Sequence, residues 1–317
     1  MNIIYTVCNR TNLAHALTLA ESAFKFQPDH TFFLCWADSI ALTSLPDYIQ
    51  VMPVSEAGIS NWEEMASRYY DFELLSASRP AFALELLKKH PECAQITFFA
   101  PTVLLFNSFQ EILNADSDLF LTPNLTKPLP ASKILDDKRI LNVGMFHAGS
   151  WVLRPNAKTL ESLRWWASRT IDRAHFNLCD GMNMDQLWLN YLPIWNKKTT
   201  IIRNAGWHYG LHSVLGSKIL NENDHYVVGD ADLISIDFAG SDTFDPVWSN
   251  HAALISKDPV FKNLFTHYRQ VVRNHAAKVP AGMTPAYGKT IRIKKYRLFR
   301  NNIAKKLKAL TTYIDQF

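Results

Sequence analysis

Residues 95–109 read QITFFAPTVLLFNSF. Gln95–Phe99 is an apolar run of strand length, it stops at Ala100-Pro101-Thr102, and Val103-Leu104-Leu105-Phe106 resumes it. Runs of this kind are the mark of parallel strands buried on both faces. In open α/β sheets, ligands bind beyond the carboxyl ends of such strands. The stop is therefore expected to face a ligand, yet it presents a methyl group, a proline and a hydroxyl where chemistry would more often use charge.

The flanking sequence supports an α/β reading. Asn2–Val7 (NIIYTV) reads as a first strand, and Leu13, Ala16, Leu17, Ala20 and Phe24 mark one face of a helix. Thr31–Ala37 (TFFLCWA) is a second strand closed by Asp38, and strand, helix and strand in that order predict a parallel, right-handed unit. Gln50–Val54 gives a third strand. In YYDFELLSASRPAFALELLKKH, Pro80 suits the first position of a helix, where its missing N–H costs nothing. Further on, the pattern predicts a short helix near Phe109–Leu113, a strand at Asp118–Thr122 and a surface loop over Leu125–Lys138. A strand at Asn142–Arg154 (NVGMFHAGSWVLR), a helix over about Ala157–His175, a break at Asp180-Gly181 and a helix at Met184–Tyr191 follow. Apolar runs recur at Leu233–Phe238 and around Val260–Val272, and no internal repeat is visible.

Composition sets the outer bounds. The 317 residues, 48% hydrophobic and 20% charged, suffice for one large α/β domain and argue against disorder. Cys8, Cys35, Cys93 and Cys179 lack disulfide or zinc spacing, which fits a reduced, cytoplasmic protein. The start MNIIYTVCNR lacks the pattern of a signal peptide, and no run is long enough to span a bilayer. GxGxxG, Walker A, GxSxG and HExxH are all absent, which removes most support for dinucleotide, P-loop, serine-hydrolase and zinc-protease chemistry.

Five segments in order carry a resemblance. They are NIIYTVCNRTNLAHALTLAESAFKFQPDH, YYDFELLSASRPAFALELL, FFAPTVLLF, NVGMFHAGSWVLR with GMNMDQLWLN, and RNAGWHYGLHS with ISIDFAGSDTFDP. Together the set resembles the bacterial GT-A-type glycosyltransferases of family 8, the glycogenin and lipopolysaccharide galactosyltransferase group. The resemblance implies a GT-A-like mixed sheet flanked by helices over residues 1–285, with 286–317 as a basic amphipathic tail. It also implies transfer of a sugar from a nucleotide-sugar donor to a glycan or lipid-linked glycan acceptor in surface polysaccharide or lipopolysaccharide synthesis, with retained anomeric configuration.

The same resemblance assigns residues. Tyr5, Thr6 and Asp38 would touch the base or ribose, and Arg79 would reach the donor; Asp38 can equally be a cap or turn residue, and Arg79 a surface arginine. His147 stands where the family has asparagine, with Ala148 and Gly149 letting a sugar approach the backbone. Asp185 would grip sugar hydroxyls and Gln186 would lie near the anomeric carbon. Family 8 carries Asp-x-Asp where this chain has Ala100 and Thr102, and a His-x-x-Gly-x-x-Lys where Asp237, Gly240 and Thr243 stand. Hard cations need several oxygen ligands, usually carboxylates, so no family-type metal is expected, and no divalent cofactor with it. Positive charge from Arg10, Arg79, Arg203, His208 and His212 would then stabilise the departing diphosphate.

The tail, from Lys289 to Lys308, holds no acidic residue. On a helix, Ile303, Leu307 and Leu310 share one side, with Lys305, Lys306 and Lys308 around the other, a pattern that suits an anionic membrane surface. A solvated basic helix is the other reading, and no nucleic-acid motif accompanies the charge. The expectation is a metal-independent glycosyltransferase, cytoplasmic or peripheral on the inner membrane face. The alternative is an inactive relative that only binds a nucleotide sugar or glycan.

Overall fold

The computed structural model describes residues 1–130, 132, 135–223, 225–282, 284–290 and 297–315. It opens with β1 (Asn2–Cys8), α1 (Leu13–Phe26), β2 (His30–Trp36) and β3 (Ile49–Pro53). Two short helices, α2 (Val54–Ala57) and α3 (Trp62–Arg68), lead to the long α4 (Asp71–Lys89). Next come β4 (Gln95–Phe99), β5 (Val103–Leu105), β6 (Leu119–Pro123), α5 (Asp137–Val143), β7 (Phe146–Leu153) and α6 (Ala157–Thr170). After β8 (Phe176–Asn177), β9 (Met182–Asn183), α7 (Leu192–Trp195) and β10 (Thr199–Ile201) comes a ribbon of β11 (Ile219–Glu222), β12 (His225–Val228) and β13 (Ala231–Asp232). The remaining elements are β14 (Ser235–Asp237), α8 (Pro259–Asn274) and α9 (Arg297–Ile314).

Seven strands form one sheet in the order β10-β6-β7-β4-β1-β2-β3. β3, β2, β1 and β4 are parallel, as the apolar runs require, whereas β7 runs antiparallel to both β4 and β6. That one reversal sets what lies at one edge of the sheet. It brings the amino end of β7, His147-Ala148-Gly149, to the edge where β1, β2 and β4 end, and the Ala100 amide donates to the Gly149 carbonyl there. Past the stop, β5 leaves the main sheet and pairs antiparallel with β14, Val103 opposite Asp237.

Two apolar clusters hold these layers. One, under the main sheet, includes Tyr5, Phe98, Trp151 and Trp166, with Tyr5 in ring contact with Phe98 and Trp151. Another beneath β14 includes Phe238, Phe261 and Tyr268. Buried rings of this size dominate the hydrophobic term.

Several expected boundaries differ. Pro80 lies inside α4 rather than at its first residue, because the helix start is fixed upstream: Glu73 accepts from the Tyr70 amide at 2.9 Å, and Lys289 accepts from the Asp71 amide at 3.0 Å. The expected loop over Leu125–Lys138 gives way to α5, whose cap Asp136 accepts from the Arg139 amide, so Asn142 and Val143 are helical and the strand begins at Phe146. α6 ends at Thr170, short of His175, and Met184–Tyr191 forms a 3-10 turn from Gln186 before α7. Residues up to Lys289 are tied to the domain, since Lys289 also donates to the Tyr69 carbonyl. Of the expected tail, 291–296 and 316–317 lie outside the described residues.

Candidate functional site

At the carboxyl ends of β1 and β2, Arg10 and Asp38 are paired. The guanidinium places Nε 2.7 Å from Oδ2 and Nη2 2.5 Å from Oδ1, and the Ser39 amide donates to Oδ1 at 2.8 Å. Burial works to raise the Asp38 pKa, but these donors outweigh it and hold the carboxyl below its usual range. The two side chains expected to meet a donor satisfy each other.

Tyr5 and Thr6 differ from expectation outright. Both are fully buried; the Tyr5 hydroxyl donates to the Arg79 carbonyl at 2.8 Å, and its ring belongs to the core. Neither shows a face to a base or ribose, because β1 lies inside the sheet between β4 and β2. Arg203, counted among the cations, is exposed.

Arg79 projects from α4 toward the β7 edge. Its Nη1 lies 3.2 and 3.3 Å from the two Asp185 oxygens and 3.4 Å from the Ala148 carbonyl, and the guanidinium sits 5.0 Å from the Phe98 ring centroid. Asp185 is fully buried, follows Met184 in the left-handed region at φ 48°, and has its own carbonyl held by Trp166 Nε1. Burial pushes the Asp185 carboxyl up to about 6 against the pull of Arg79. Gln186 is likewise committed: Oε1 accepts from the Ala148 amide at 3.0 Å and Nε2 donates to the Val143 carbonyl at 2.8 Å. Its amide fixes the position of β7, and Asp185 fixes Arg79.

The histidines converge beside this pair. His208 occupies a left-handed turn at φ 50°, a costly conformation for a residue with a Cβ, and its amide donates to Ser235 Oγ. Its Nε2 lies 3.1 Å from His147 Nδ1 on β7 and 3.5 Å from Asp237 Oδ2 at the end of β14. The His212 ring centroid is 5.0 Å from that of His147. Thr102, from the stop in the opening stretch, donates to Asp237 Oδ1 at 2.6 Å, and the Ala239 amide adds a second donor at 2.9 Å. Ala100, also buried, brings only its methyl group. Gly149 is the only residue type that fits its place: a Cβ there would lie 2.7 Å from His147 Nδ1 and 2.9 Å from Asp237 Oδ2. Gly240 turns the chain at φ 76° against the Trp248 backbone.

The charge state corrects one expectation. Burial holds His147 and His208 well below the ordinary histidine range, and takes His212 to about 3. Burial thus disfavours the charged form of all three imidazoles, which counts against their service as cations. Arg79 carries the positive charge at this edge. Burial pushes the Asp237 carboxyl up to about 6 despite the Thr102 hydrogen bond.

Acid sensitivity follows from the buried imidazoles. In the unfolded chain each histidine binds a proton below pH ~6.5. His15 and His30 (each to about 4), His147, His208 and His212 bind theirs only at lower pH when folded. Unfolding therefore takes up protons between pH ~6.5 and ~4, and stability falls as pH falls through that window. Asp71, Asp185, Asp237 and Asp245, all raised by burial, act in the opposite sense, but only Asp185 and Asp237 are shifted to about 6. The urea midpoint is expected to be lower at pH 5 than at pH 7; an equal or higher midpoint at pH 5 would show that the imidazoles are not held neutral.

The convergence of His147, His208 and Asp237 into a group able to hold a metal ion was not visible in the sequence, which counted Asp237 as a lone carboxylate. The residues Thr122, Asn124, Asn204, Trp207 and Ser213, which line a cleft beside His212, were given no role, although Asn204, Trp207 and Ser213 lie within the segment RNAGWHYGLHS.

No family model matches the chain, and no curated protein matches it. Among solved structures, it is similar to the galactosyltransferase LgtC in complex with donor and acceptor sugar analogues, at 13% identity and a TM-score of 0.51, over 90% of this chain and 98% of that one. An active-site mutant of LgtC aligns over 81% of this chain at 14% identity and a TM-score of 0.46. The fold is thus the expected GT-A-like α/β arrangement, a mixed sheet flanked by helices.

Proposed function

We propose that the protein is a glycosyltransferase that moves a sugar from a nucleotide-sugar donor to a hydroxyl of a glycan or lipid-linked glycan, in surface polysaccharide or lipopolysaccharide synthesis. The observation that carries this reading is the reversed strand β7. It delivers the backbone of His147-Ala148-Gly149 to the carboxyl edge of a parallel sheet, beside a buried Arg79–Asp185 pair. Ligands of α/β sheets bind at such edges. Likeness of fold to a galactosyltransferase solved with donor and acceptor analogues supports it.

In this reading Arg79 faces the diphosphate and stabilises the charge that develops as the sugar departs. Asp185 holds that guanidinium, and Gln186 holds the Ala148 amide, so both act by positioning. Retention of configuration needs no side-chain base, since the incoming hydroxyl passes its proton to the leaving phosphate on the same face. Ala100 and Thr102 offer no carboxylate, so a hard cation finds no cage there and turnover needs no Mg²⁺.

One observation favours a second reading, a non-catalytic relative that binds nucleotide sugar or glycan. Asp185 is wholly buried and paired, and Gln186 is spent on backbone groups. Calorimetric titration with UDP, GDP, dTDP and CMP sugars, followed by donor turnover with and without Mg²⁺, separates the two. Binding with turnover independent of Mg²⁺ is expected. Binding with no turnover selects the second reading, and no binding of any donor removes the transferase and leaves only glycan binding.

We propose further that α9 docks on an anionic membrane. Phe299, Ile303, Leu307, Leu310 and Ile314 are exposed and recur along one helical face, with Lys306 and Lys308 exposed as well. Among the described residues no helix is long and apolar enough to cross a membrane. In the same preparation, the protein is expected to sediment with phosphatidylserine vesicles at low salt and to be released at high salt.

A further inference from the structure

Three ligand-type side chains from separate elements meet at one buried point. His147 on β7, His208 in the turn before β14 and Asp237 at the end of β14 each offer an atom, and these atoms all lie within 4.8 Å of one another. All three residues are buried. Asp237 Oδ1 is used by Thr102 and the Ala239 amide, but among the described residues Oδ2 has no hydrogen-bond partner, and neither does Nδ1 of His208. A buried carboxylate oxygen without a donor costs free energy that something must offset. It faces two imidazoles, 3.5 Å from His208 Nε2 and 4.0 Å from His147 Nε2.

We propose that His147, His208 and Asp237 hold one divalent transition-metal ion, through one ring nitrogen of each histidine and Oδ2 of the aspartate. Ligands at ~2.0–2.2 Å from such an ion lie roughly 3–4 Å from each other, so the separations here, within 4.8 Å, must contract where they exceed that range when an ion binds. Two imidazoles and one carboxylate suit Zn²⁺, Co²⁺ or Mn²⁺ and disfavour Mg²⁺ and Ca²⁺, which take oxygen ligands. Neutral imidazole is the form that ligates, and burial keeps these rings neutral.

The surroundings are shaped to the same end. The left-handed backbone at His208 turns its ring inward, and strain of this kind persists where a site requires it. Gly149 leaves the space that a methyl group would take from His147 and Asp237. Thr102 orients the carboxylate, as outer hydrogen bonds do around metal ligands. His212, close to His147, also lines the polar cleft formed with Thr122, Asn124, Asn204, Trp207 and Ser213.

The test uses the full, tag-free chain, stripped with EDTA and titrated with Co²⁺ while the visible d–d absorption is recorded. One equivalent should bind, Zn²⁺ should displace it, and Mg²⁺ should not. Asp237→Asn and His208→Gln should each weaken Co²⁺ binding at least ~10-fold, while His225→Gln, at an exposed histidine on β12, should leave it unchanged. Absence of bound Co²⁺ in the wild-type chain, or unchanged affinity in both variants, overturns the proposal. If a variant loses its near-ultraviolet circular dichroism, the wild-type titration decides. No sugar nucleotide enters the assay, so its outcome is separate from that of the transferase reading.

Discussion

Replacing Arg79 with methionine is expected to cost about 3–5 kcal/mol of stability and to lower donor turnover on the order of 10²–10³-fold. The first effect comes from what remains. Asp185 is fully buried, and Arg79 Nη1 lies near both of its oxygens. Removing one partner of a buried pair leaves an uncompensated charge, which costs far more than the pair itself contributes. The sign of the pH dependence is fixed by the same logic. Asp185 already has its pKa raised to about 6 by burial, and loss of the guanidinium raises it further. A raised carboxyl penalises the folded state increasingly as pH climbs from its unfolded value of ~3.9. The stability deficit of Arg79→Met relative to wild type should therefore shrink on going from pH 7 to pH 5, where Asp185 takes up a proton. Urea denaturation at the two pH values measures this, and equal deficits would show that Asp185 does not depend on Arg79. The turnover loss should be partly restored in Arg79→Lys, which keeps the charge but not the fork.

Gly206→Ala is the second large effect. A Cβ at this position would lie 1.8 Å from the Asp232 carbonyl oxygen and 2.7 Å from its carbon. The neighbour is backbone, so no rotamer change relieves the clash, and β13 must move. Gly206 also accepts from the Ile234 and Ser235 amides, the segment that seats β14 and therefore Asp237. His208 follows two residues later and donates to Ser235. Overpacking typically costs about 1–3 kcal/mol and occasionally more; a backbone clash places this one at about 3 kcal/mol or above. The expected result is a lower urea midpoint together with loss of Co²⁺ binding. A stable Gly206→Ala protein that binds Co²⁺ normally would mean that the turn yields without disturbing the cluster.

Much of the fold was legible because its central strands are unambiguous. NIIYTVC, HTFFLCW and QITFF are buried nearly end to end, and a continuous apolar run admits few other readings. The stop at Ala100-Pro101-Thr102 correctly marked the end of β4, after which the chain leaves the main sheet as β5. The peripheral ribbon β11–β12 was not legible, since its residues, such as Asn221, Glu222 and His225, are largely exposed and carry little hydrophobic signal. Pro80 misled because the helix start was judged from proline alone, whereas Glu73 and Lys289 fix it from other parts of the chain.

The site was legible as parts but not as an arrangement. His147, His208, His212 and Asp237 were each singled out, but the contacts joining them span 61 residues from His147 to His208 and 135 from Thr102 to Asp237. Nothing local encodes such meetings. Nor does sequence encode protonation: the histidines read as cations by type, and burial makes them neutral. A usable signal was the double change itself, histidine where asparagine was expected and aspartate where histidine was expected.

The hydrogen bond from Thr102 to Asp237 limits which side chains position 102 can hold. A carboxylate introduced at position 102 would stand against Asp237 at the 2.6 Å now spanned by a hydroxyl proton, and two anions that close cannot both stay ionised. A single Thr102→Asp exchange is therefore expected to force a proton onto one of the two carboxyls, which ties the residue that position 102 can hold to the charge on Asp237.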